Sequence, residues 1–469
     1  MRTQAHKLFV VTSLLLSSFL SAQNLDPWQE LKGKGTRAFE AGQYQDAART
    51  FEKALALAEK SQERRLAVSL NDLAETYRAV GRYDEGERLL LRALPVGEKL
   101  LQAEPQILSS TLHNLTMLYV EQGRLAEAEQ HAQRSVALLA ERFGPADPRL
   151  ADSLASLAFV CAHVGRLSEA EPLLRRALSL VETDPGPESS EAVGHLNNLA
   201  TVLVALGRDA EAEPMLRRVL TLVRKHWGPE HRNVASAMNN LAAVTEAMGH
   251  YDQAESLLRQ SLEIRERIFG PFHSDVGLAL TNLGVLYLGH QRYVTAEPLL
   301  RRALAVHERA HGKDHPEVIS VLVDLARLYR ELRREEDARP LLRRAESAAG
   351  RTLTAPNPIL AKLYNQMGSL QLQQRNLSGA GKLYNKALTM VRKLYGNRHP
   401  EVASTLGNLG MLERRQGHYR EAERYYKDAL DSLKNLSAFA EKTALRRQYA
   451  DLLRETHRAV EAEQIEFQY

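Results

Sequence analysis

The stretch that decides the fold is LTMLYVEQGRLAEA, residues 115–128. Before Gly123, the large residues Leu115 and Tyr119 lie four positions apart, which is the spacing of one face of an α-helix. Glycine readily takes the left-handed backbone that ends a helix. After it, a new apolar pattern begins and includes the small residue Ala128. The stretch therefore predicts two helices joined by a tight turn.

The same frame returns every 42 residues from Gly81 onward, after a first step of 39 residues and before a last step of 40. The glycine is replaced in some copies, whereas the apolar and small residues around it remain. The turn positions are Gly42, Gly81, Gly123, Gly165, Gly207, Gly249, Gln291, Arg333, Arg375 and Gly417, with a partial copy near Ala462. Self-similarity at such a period is typical of stacked repeats. We expect ten repeats in residues 23–440 and a partial eleventh repeat or capping helices in 441–469.

Each copy has the spacing of two amphipathic helices. In the first helix, a large apolar residue lies eight positions before the turn and a small residue follows it, as in Leu199 and Ala200. In the second helix, a small residue precedes a large one by four positions, as in Ala212 and Leu216. Small residues let two helices approach closely, and large residues fill the neighbouring grooves. One pair cannot bury its apolar face alone, so the pairs are expected to stack into an all-α solenoid with a concave groove.

Two local strings add to this pattern. One is Leu196-Asn-Asn-Leu-Ala200, and the other is Gly312-Lys-Asp-His-Pro316, which returns at Gly396–Pro400. With the 42-residue period, they resemble the tetratricopeptide repeat in the long variant of kinesin light chains and many bacterial repeat proteins. The resemblance covers residues 27–469. It implies a right-handed superhelical solenoid whose groove binds a protein or a peptide.

One column of the first helix is polar, nine positions before the turn and next to the large apolar residue. Asn and Asp are unfavourable inside helices, so their repeated use indicates compensation by another contact. In the kinesin light chain variant that the chain resembles, matching Asn residues contact the backbone of a bound peptide, because a side-chain amide both donates and accepts. We call this the Asn column. Its members are Asp72, Asn114, Ser156, Asn198, Asn240, Asn282, Asp324, Gln366 and Asn408.

Two interpretations of the Asn column stay open at this point. In the first, the column lines a peptide-binding groove. In the second, it forms a structural ladder in which each side chain bonds across to the next repeat. The candidate peptide-binding residues are Asn114, Asn198, Asn240, Asn282, Asp324 and Asn408.

A basic column follows the second helices. We interpret it as a solvated face with intrahelical charge pairs, with binding of an anionic peptide as the alternative. Its members are Arg92, Arg134, Arg176, Arg218, Arg302, Arg344 and Lys386.

No motif of a catalytic, metal or cofactor site is present in the sequence. His231, His273, His315 and His399 occupy equivalent loops in different repeats, so no two share a helix at metal-ligand spacing. Their expected role is loop packing and capping of the next helix. The string Gly33-Lys-Gly-Thr36 lacks the order of a phosphate-binding loop. We therefore predict no catalytic, metal-binding or cofactor-binding residue, and a protein that is not an enzyme.

Residues 1–22 are predicted to be a secretory signal peptide. Arg2 and Lys7 give a basic start, Leu8–Leu20 is apolar, and the small residues that precede a cleavage site end at Ala22. The apolar run is shorter than the roughly 20 residues that cross a bilayer, which disfavours the alternative of an uncleaved anchor. We expect export to the periplasm or the extracellular space, with no membrane span after signal cleavage.

The formal charge of +4 over 469 residues is mild and does not indicate a nucleic-acid binder. The expected function is that of a non-catalytic scaffold that binds an extended protein or peptide segment. One alternative is a structural or assembly subunit of an envelope complex, and another is a regulatory partner of a separately encoded enzyme. Self-association through the end repeats also stays open.

Overall fold

The computed structural model describes residues 26–40, 43–353, 356–434, 436 and 439–466. Within these ranges the chain forms 22 α-helices and no β-strand, so the predicted all-α architecture is confirmed. The signal peptide predicted for residues 1–22 lies outside the described residues. The assignment of residues 23–440 to ten repeats and of 441–469 to a cap stays a prediction.

The helices belong to two compact units, which are described separately. The N-terminal unit covers the described residues up to Asn198. First and second helices of the repeats alternate along it. They are α1 (Pro27–Glu40), α2 (Tyr44–Ala58), α3 (Glu63–Ala79), α4 (Tyr83–Leu100), α5 (Pro105–Glu121), α6 (Leu125–Phe143), α7 (Ala151–His163), α8 (Leu167–Thr183) and the beginning of α9 (Ser190–Ala205).

The C-terminal unit begins at Leu199 within α9 and continues the alternation. Its further helices are α10 (Asp209–Trp227), α11 (Arg232–Ala247), α12 (Tyr251–Phe269), α13 (Ser274–Gly289), α14 (Tyr293–His311), α15 (Pro316–Glu331), α16 (Glu335–Thr352), α17 (Pro358–Gln373), α18 (Leu377–Tyr395), α19 (Pro400–Gln416), α20 (Tyr419–Ser432), α21 (Phe439–Glu455) and α22 (Ala459–Glu466).

The turn inside each repeat has a left-handed residue at the predicted position. Between α3 and α4, Gly81 has φ +78°, and the next N–H, of Arg82, donates to the Tyr77 carbonyl at 2.8 Å. This bond back across the turn is the usual closure of a helix end. The copies without glycine keep the same backbone, with φ of +60° at both Gln291 and Arg333. The turn frame read from the sequence is therefore confirmed for these copies.

The loop between repeats ends in a helix cap, as predicted for its histidines. The Nδ1 atom of His273 accepts the backbone N–H of Asp275 at 3.1 Å. The Phe269 ring, at the end of the preceding helix, stacks on the His273 ring with centroids 4.4 Å apart. A side-chain acceptor here satisfies one of the open N–H groups of the first turn. The same cap forms at His231, His315 and His399.

Small residues of the first helices lie under large residues of the second helices. A Cβ atom added to Gly284 would lie 2.8 Å from the Leu300 side chain, and one added to Gly368 would lie 2.7 Å from the Tyr384 ring. Both distances are too short for an unshifted neighbour, so the helices approach as closely as the small column allows. The pairing of small with large residues that the sequence predicts therefore forms the core.

A polar clamp joins the second helix of one repeat to the first helix and the turn of the next. The Tyr329 hydroxyl donates to Glu297 of the preceding repeat at 2.9 Å, and Arg334 donates to the same carboxylate at 3.3 Å. The Arg334 guanidinium also lies 4.5 Å from the Tyr329 ring centroid, within the range of a cation–π interaction. Equivalent clamps form at Tyr119 with Glu87 and Arg124, and at Tyr287 with Glu255 and Arg292.

Candidate functional site

The first helices have a stripe of residues that reaches solvent, and the Asn column lies on it. On α15, Glu317, Ser320, Arg327 and Glu331 retain exposed surface, whereas most of the helix is buried. Asp324 lies between them at spacings of three and four residues, so all five share one face. The Asp324 side chain is itself buried, with 8% of its surface exposed. The stripe therefore has a recessed polar centre.

The same arrangement recurs on other first helices of the C-terminal unit. On α13, Asn282 lies between the half-buried Leu278 and Val285. On α19, the half-buried Asn408 lies between the exposed Ser404 and the half-buried Met411. A chain lying across these helices would meet a polar group at the centre of each stripe.

The predicted binding residues differ in burial. Asn198, Asn282 and Asp324 are buried, with at most 8% of their surface exposed. Asn114, Asn240 and Asn408 are half-buried. Their role in binding stays a prediction.

Hydrogen bonds of the ladder type also connect the column to the preceding repeat. The Asn114 amide donates to Oδ1 of Asn71 at 3.3 Å, and the Asn282 amide donates to Oδ1 of Asn239. In both cases the acceptor lies one position before the Asn column of its own repeat. The alternative of a structural ladder is thus realised at these two steps.

Asn71 and Asn239 belong to a second polar column, one position before the Asn column, which the sequence analysis did not identify. It includes His113, whose Nδ1 atom lies 2.7 Å from the Ser156 hydroxyl, and Asn365, whose amide donates to Thr405 at 2.9 Å. The signal was visible in the sequence, since the pairs Asn197-Asn198 and Asn239-Asn240 place two amides side by side. Only the second Asn of each pair belongs to the Asn column.

A ladder bond uses only part of the hydrogen-bonding capacity of an amide side chain. An Asn offers two donors and a carbonyl oxygen with two lone pairs. In Asn114 and Asn282, the ladder bond uses one donor and fixes the orientation of the amide. The remaining donor and oxygen can bind a peptide unit. A ladder and a ligand site are therefore compatible, because the first orients the groups that the second needs.

Burial raises the pKa of the acidic members of the Asn column. Burial raises the pKa of Asp72 to about 6, against the opposite effect of Lys32, whose Nζ lies 3.9 Å from the carboxylate. Burial also raises the pKa of Asp324, although Lys362 and Arg327 oppose it. These carboxyls are protonated more readily than ordinary ones.

The basic column forms ion pairs between repeats, and not within one helix as we had interpreted it. Arg92 pairs with Glu59 at 2.9 Å and Arg302 with Glu266 at 2.6 Å, in each case on the second helix of the preceding repeat. Arg134 and Arg344 pair with Glu98 and Glu308 in the same way. Intrahelical pairs do form, but from the residue just before the column, as in Arg175 with Glu171 at 2.8 Å.

The tetratricopeptide repeat model matches most of the chain. The matched segments are 34–99, 65–141, 107–183, 149–226, 191–267, 233–305, 275–350 and 359–435. The chain belongs to the tetratricopeptide repeat family. The fold of this family is typically non-catalytic. No curated protein matches the chain significantly.

Solved structures with the same fold include two that align with most of this tetratricopeptide repeat chain. A Rap protein complexed with competence and sporulation factor is 15% identical, covers 78% of this chain and 98% of its own, and gives a TM-score of 0.52. The apo quorum sensor NprR from B. thuringiensis is 16% identical, covers 78% and 97%, and gives 0.53. A putative kinesin light chain with TPR-like repeats from Podosopora anserina is 23% identical, covers 44% and 97%, and gives 0.39. Likeness at these identities shows the fold alone.

Two properties of the described residues bear on other kinds of function. None of their helices is long and apolar enough to cross a membrane. They also contain no group of three or more His, Cys, Asp or Glu side chains placed to hold a metal ion.

Proposed function

We propose that this chain is a non-catalytic scaffold that binds an extended protein segment along the stripe of its first helices. The observation that carries the proposal is the place of the Asn column, at the recessed centre of the stripe on α13, α15 and α19. The ladder bond of Asn282 to Asn239 supports it, because an oriented amide loses less rotamer freedom on binding.

Spacing supports an extended ligand. Stacked helices lie about 8–10 Å apart, and an extended chain advances about 3.3 Å per residue. Successive column residues therefore match every second or third peptide unit. Because amides recognise the backbone, the column itself tolerates many sequences, and specificity comes from flanking residues such as Arg327 and Met411.

The structural neighbours are consistent with this role for the fold. The Rap protein was solved in complex with competence and sporulation factor, and NprR is described as a quorum sensor. Neither name identifies the partner of this chain.

Export forms part of the proposal. It is supported by the basic start and the apolar run Leu8–Leu20, followed by small residues up to Ala22. Mass spectrometry of the chain recovered from the periplasm or the medium tests it. The expected mature N-terminus is Gln23, and an intact Met1 in a cytoplasmic pool would contradict export.

The groove proposal is tested by two matched variants of the mature chain. The first removes two half-buried amides of the Asn column: Asn240→Ala and Asn408→Ala. The second removes a buried amide of the neighbouring column that donates to Thr405 of the next repeat: Asn365→Ala. Both are compared with the native chain in affinity capture from the native envelope fraction, with captured proteins identified by mass spectrometry and folding checked by thermal unfolding.

We expect the first variant to lose the captured partner with little change in unfolding temperature. We expect the second to keep the partner and to unfold at a lower temperature, because Asn365 is a buried ladder group between repeats. If the first variant keeps the partner, binding does not depend on the Asn column and the groove proposal is wrong.

A further inference from the structure

A cleft with an excess of positive charge lies between α20, α21 and α22. Its volume is about 450 Å³, and five charged side chains line it: Lys427, Asp431, Lys434, Lys442 and Arg446. With four cations and one carboxylate, its formal charge is +3. The cleft is separate from the stripe described on α13, α15 and α19, since α20, α21 and α22 form its walls.

Two of the four cationic side chains already have a partner within the protein, and the other two can bind a ligand. Lys427 pairs with Glu423 at 2.7 Å, and Lys442 donates to the Leu436 carbonyl at 2.5 Å. Within the described part of the chain, the side chains of Lys434 and Arg446 form no ion pair or hydrogen bond. Lys434 is exposed and Arg446 is half-buried, so both can be reached from solvent.

The charge at one position of this cleft is the reverse of that in several other repeats. Lys434 lies 17 positions after its turn residue, Gly417. The equivalent residues Glu98, Glu266 and Glu308 are acidic, and each pairs with an arginine of the next second helix. A position that neutralises a cation in these three repeats therefore adds one here.

The surroundings increase the effect of this charge. Burial and the neighbouring Arg446 lower the pKa of Lys442, which means that its charged ammonium form is destabilised. The buried Tyr449 side chain also lines the cleft. An anion brought into the cleft would relieve the repulsion between the neighbouring cations.

We propose that this cleft binds an oxyanion, phosphate or carboxylate, held by Lys434 and Arg446. The planar guanidinium of Arg446 can donate two parallel hydrogen bonds to two oxygens of one group, and the Lys434 ammonium supplies a second charge. Inorganic phosphate and the carboxylates of an acidic peptide share this chemistry. The site is independent of the proposed groove and of the partner bound there.

The test is isothermal titration calorimetry of the mature chain with two probes, inorganic phosphate and acetylated hexaglutamate. The cleft variant is Lys434→Glu with Arg446→Glu. The matched control is Arg392→Glu with Lys393→Glu, which makes the same change in net charge at two exposed residues in the last turn of α18. The neutral variant Lys434→Gln with Arg446→Gln covers the case in which the reversed charges disturb folding, which circular dichroism monitors.

We expect at least one probe to bind the native chain and the control alike, and to bind the cleft variant at least about tenfold more weakly. Binding should also weaken with added salt, because the cleft is open to solvent. Binding of phosphate alone identifies a small-anion site, and binding of hexaglutamate alone identifies a site for acidic peptide. Binding of neither probe, or equal weakening in the cleft variant and the control, would overturn the proposal.

Discussion

The turns inside the repeats have one backbone in both units, but the C-terminal unit, which keeps glycine at Gly207, Gly249 and Gly417, also has turns without it. In the N-terminal unit, the turn residues Gly81, Gly123 and Gly165 are all glycine, with φ between +74° and +83°. In the C-terminal unit, the residues at Gln291, Arg333, Arg375 and His457 have side chains, with φ between +60° and +62°. The backbone bond that closes the turn is unchanged, at 2.8 Å from Arg124 N–H to the Tyr119 carbonyl and from Arg334 N–H to the Tyr329 carbonyl.

This difference shows that the turn requires the left-handed backbone conformation but not the glycine residue itself. A Cβ atom added to Gly81, Gly123 or Gly165 meets nothing within 4 Å. A side chain there therefore costs only the strain of the left-handed backbone, about 1–2 kcal/mol. The stacked helices on either side hold the turn in place against that strain, which explains how a repeat can lose its glycine and keep its fold.

The two units also use histidine differently. In the N-terminal unit, His113 lies inside the polar ladder, where burial and Arg78 lower its pKa to about 4. In the C-terminal unit, His231 caps α11 through Nδ1, and burial and Arg232 lower its pKa. Burial disfavours the charged form of His113, and the cap needs an unprotonated Nδ1 on His231, so acid should destabilise each unit at its own site.

The largest expected effect is acid destabilisation of the N-terminal unit through His113. Its pKa is lower in the folded chain than in the unfolded chain, so the unfolded chain binds more protons as the pH falls. The stabilisation is complete above about pH 6.5 and is lost as the pH falls through about 4, which amounts to about 2–3 kcal/mol. His113→Gln should remove this part of the pH dependence.

Urea unfolding followed by tryptophan fluorescence measures this effect in one unit. The chain has two tryptophans, and Trp28, whose indole donates to Ser69 at 2.8 Å, belongs to the N-terminal unit. In a Trp227→Phe background, Trp28 is the only reporter. An equal loss of stability on acidification in the native and His113→Gln chains would contradict the assignment.

The next largest effect is expected from Gly123→Arg, which gives the N-terminal unit a turn like that at Arg333. The free energy of unfolding should fall by about 1–2 kcal/mol, because only backbone strain is added. The Trp28 reporter measures it. A control at an exposed helical residue, Gln133→Arg, adds the same charge without strain and should be near neutral. A much larger loss would mean that the turn is packed against something and is not open.

A smaller effect is expected from removing a histidine cap in the C-terminal unit. His231→Ala should cost about 1 kcal/mol near neutral pH, because the N–H of Asn233 loses its acceptor. The pKa of His231 is lowered, so the native cap is lost as the pH falls, and the native and alanine chains should converge in acid. His231→Asp should keep the cap at both pH values. Trp227, which stacks on His231, reports the change, and a constant difference at all pH values would contradict a titrating cap.

The sequence predicts those structural features that recur with the 42-residue period. The helix pairs, the turn positions and the capping histidines each recur at 42 residues, so a local pattern seen in one copy is checked by the others. The contacts between repeats were harder to predict. The basic column was assigned to intrahelical pairs because Arg302 and its acid Glu266 are 36 residues apart in sequence. Likewise, the ladder joins Asn114 to Asn71, a partner that only stacking brings close.

The smallest expected effect is the reverse change, Arg333→Gly, in the C-terminal unit. Glycine relieves the left-handed strain at this turn, but it also gives the unfolded chain more freedom. The two contributions oppose each other, so we expect a gain of at most about 1 kcal/mol, less in magnitude than the loss in Gly123→Arg. Arg333→Ala, which removes the same side chain without relieving strain, separates the backbone from the guanidinium. Urea unfolding followed by Trp227 in a Trp28→Phe background measures all three chains. If Arg333→Gly destabilises the unit and Arg333→Ala does so equally, the arginine side chain stabilises the fold and the two kinds of turn are not equivalent.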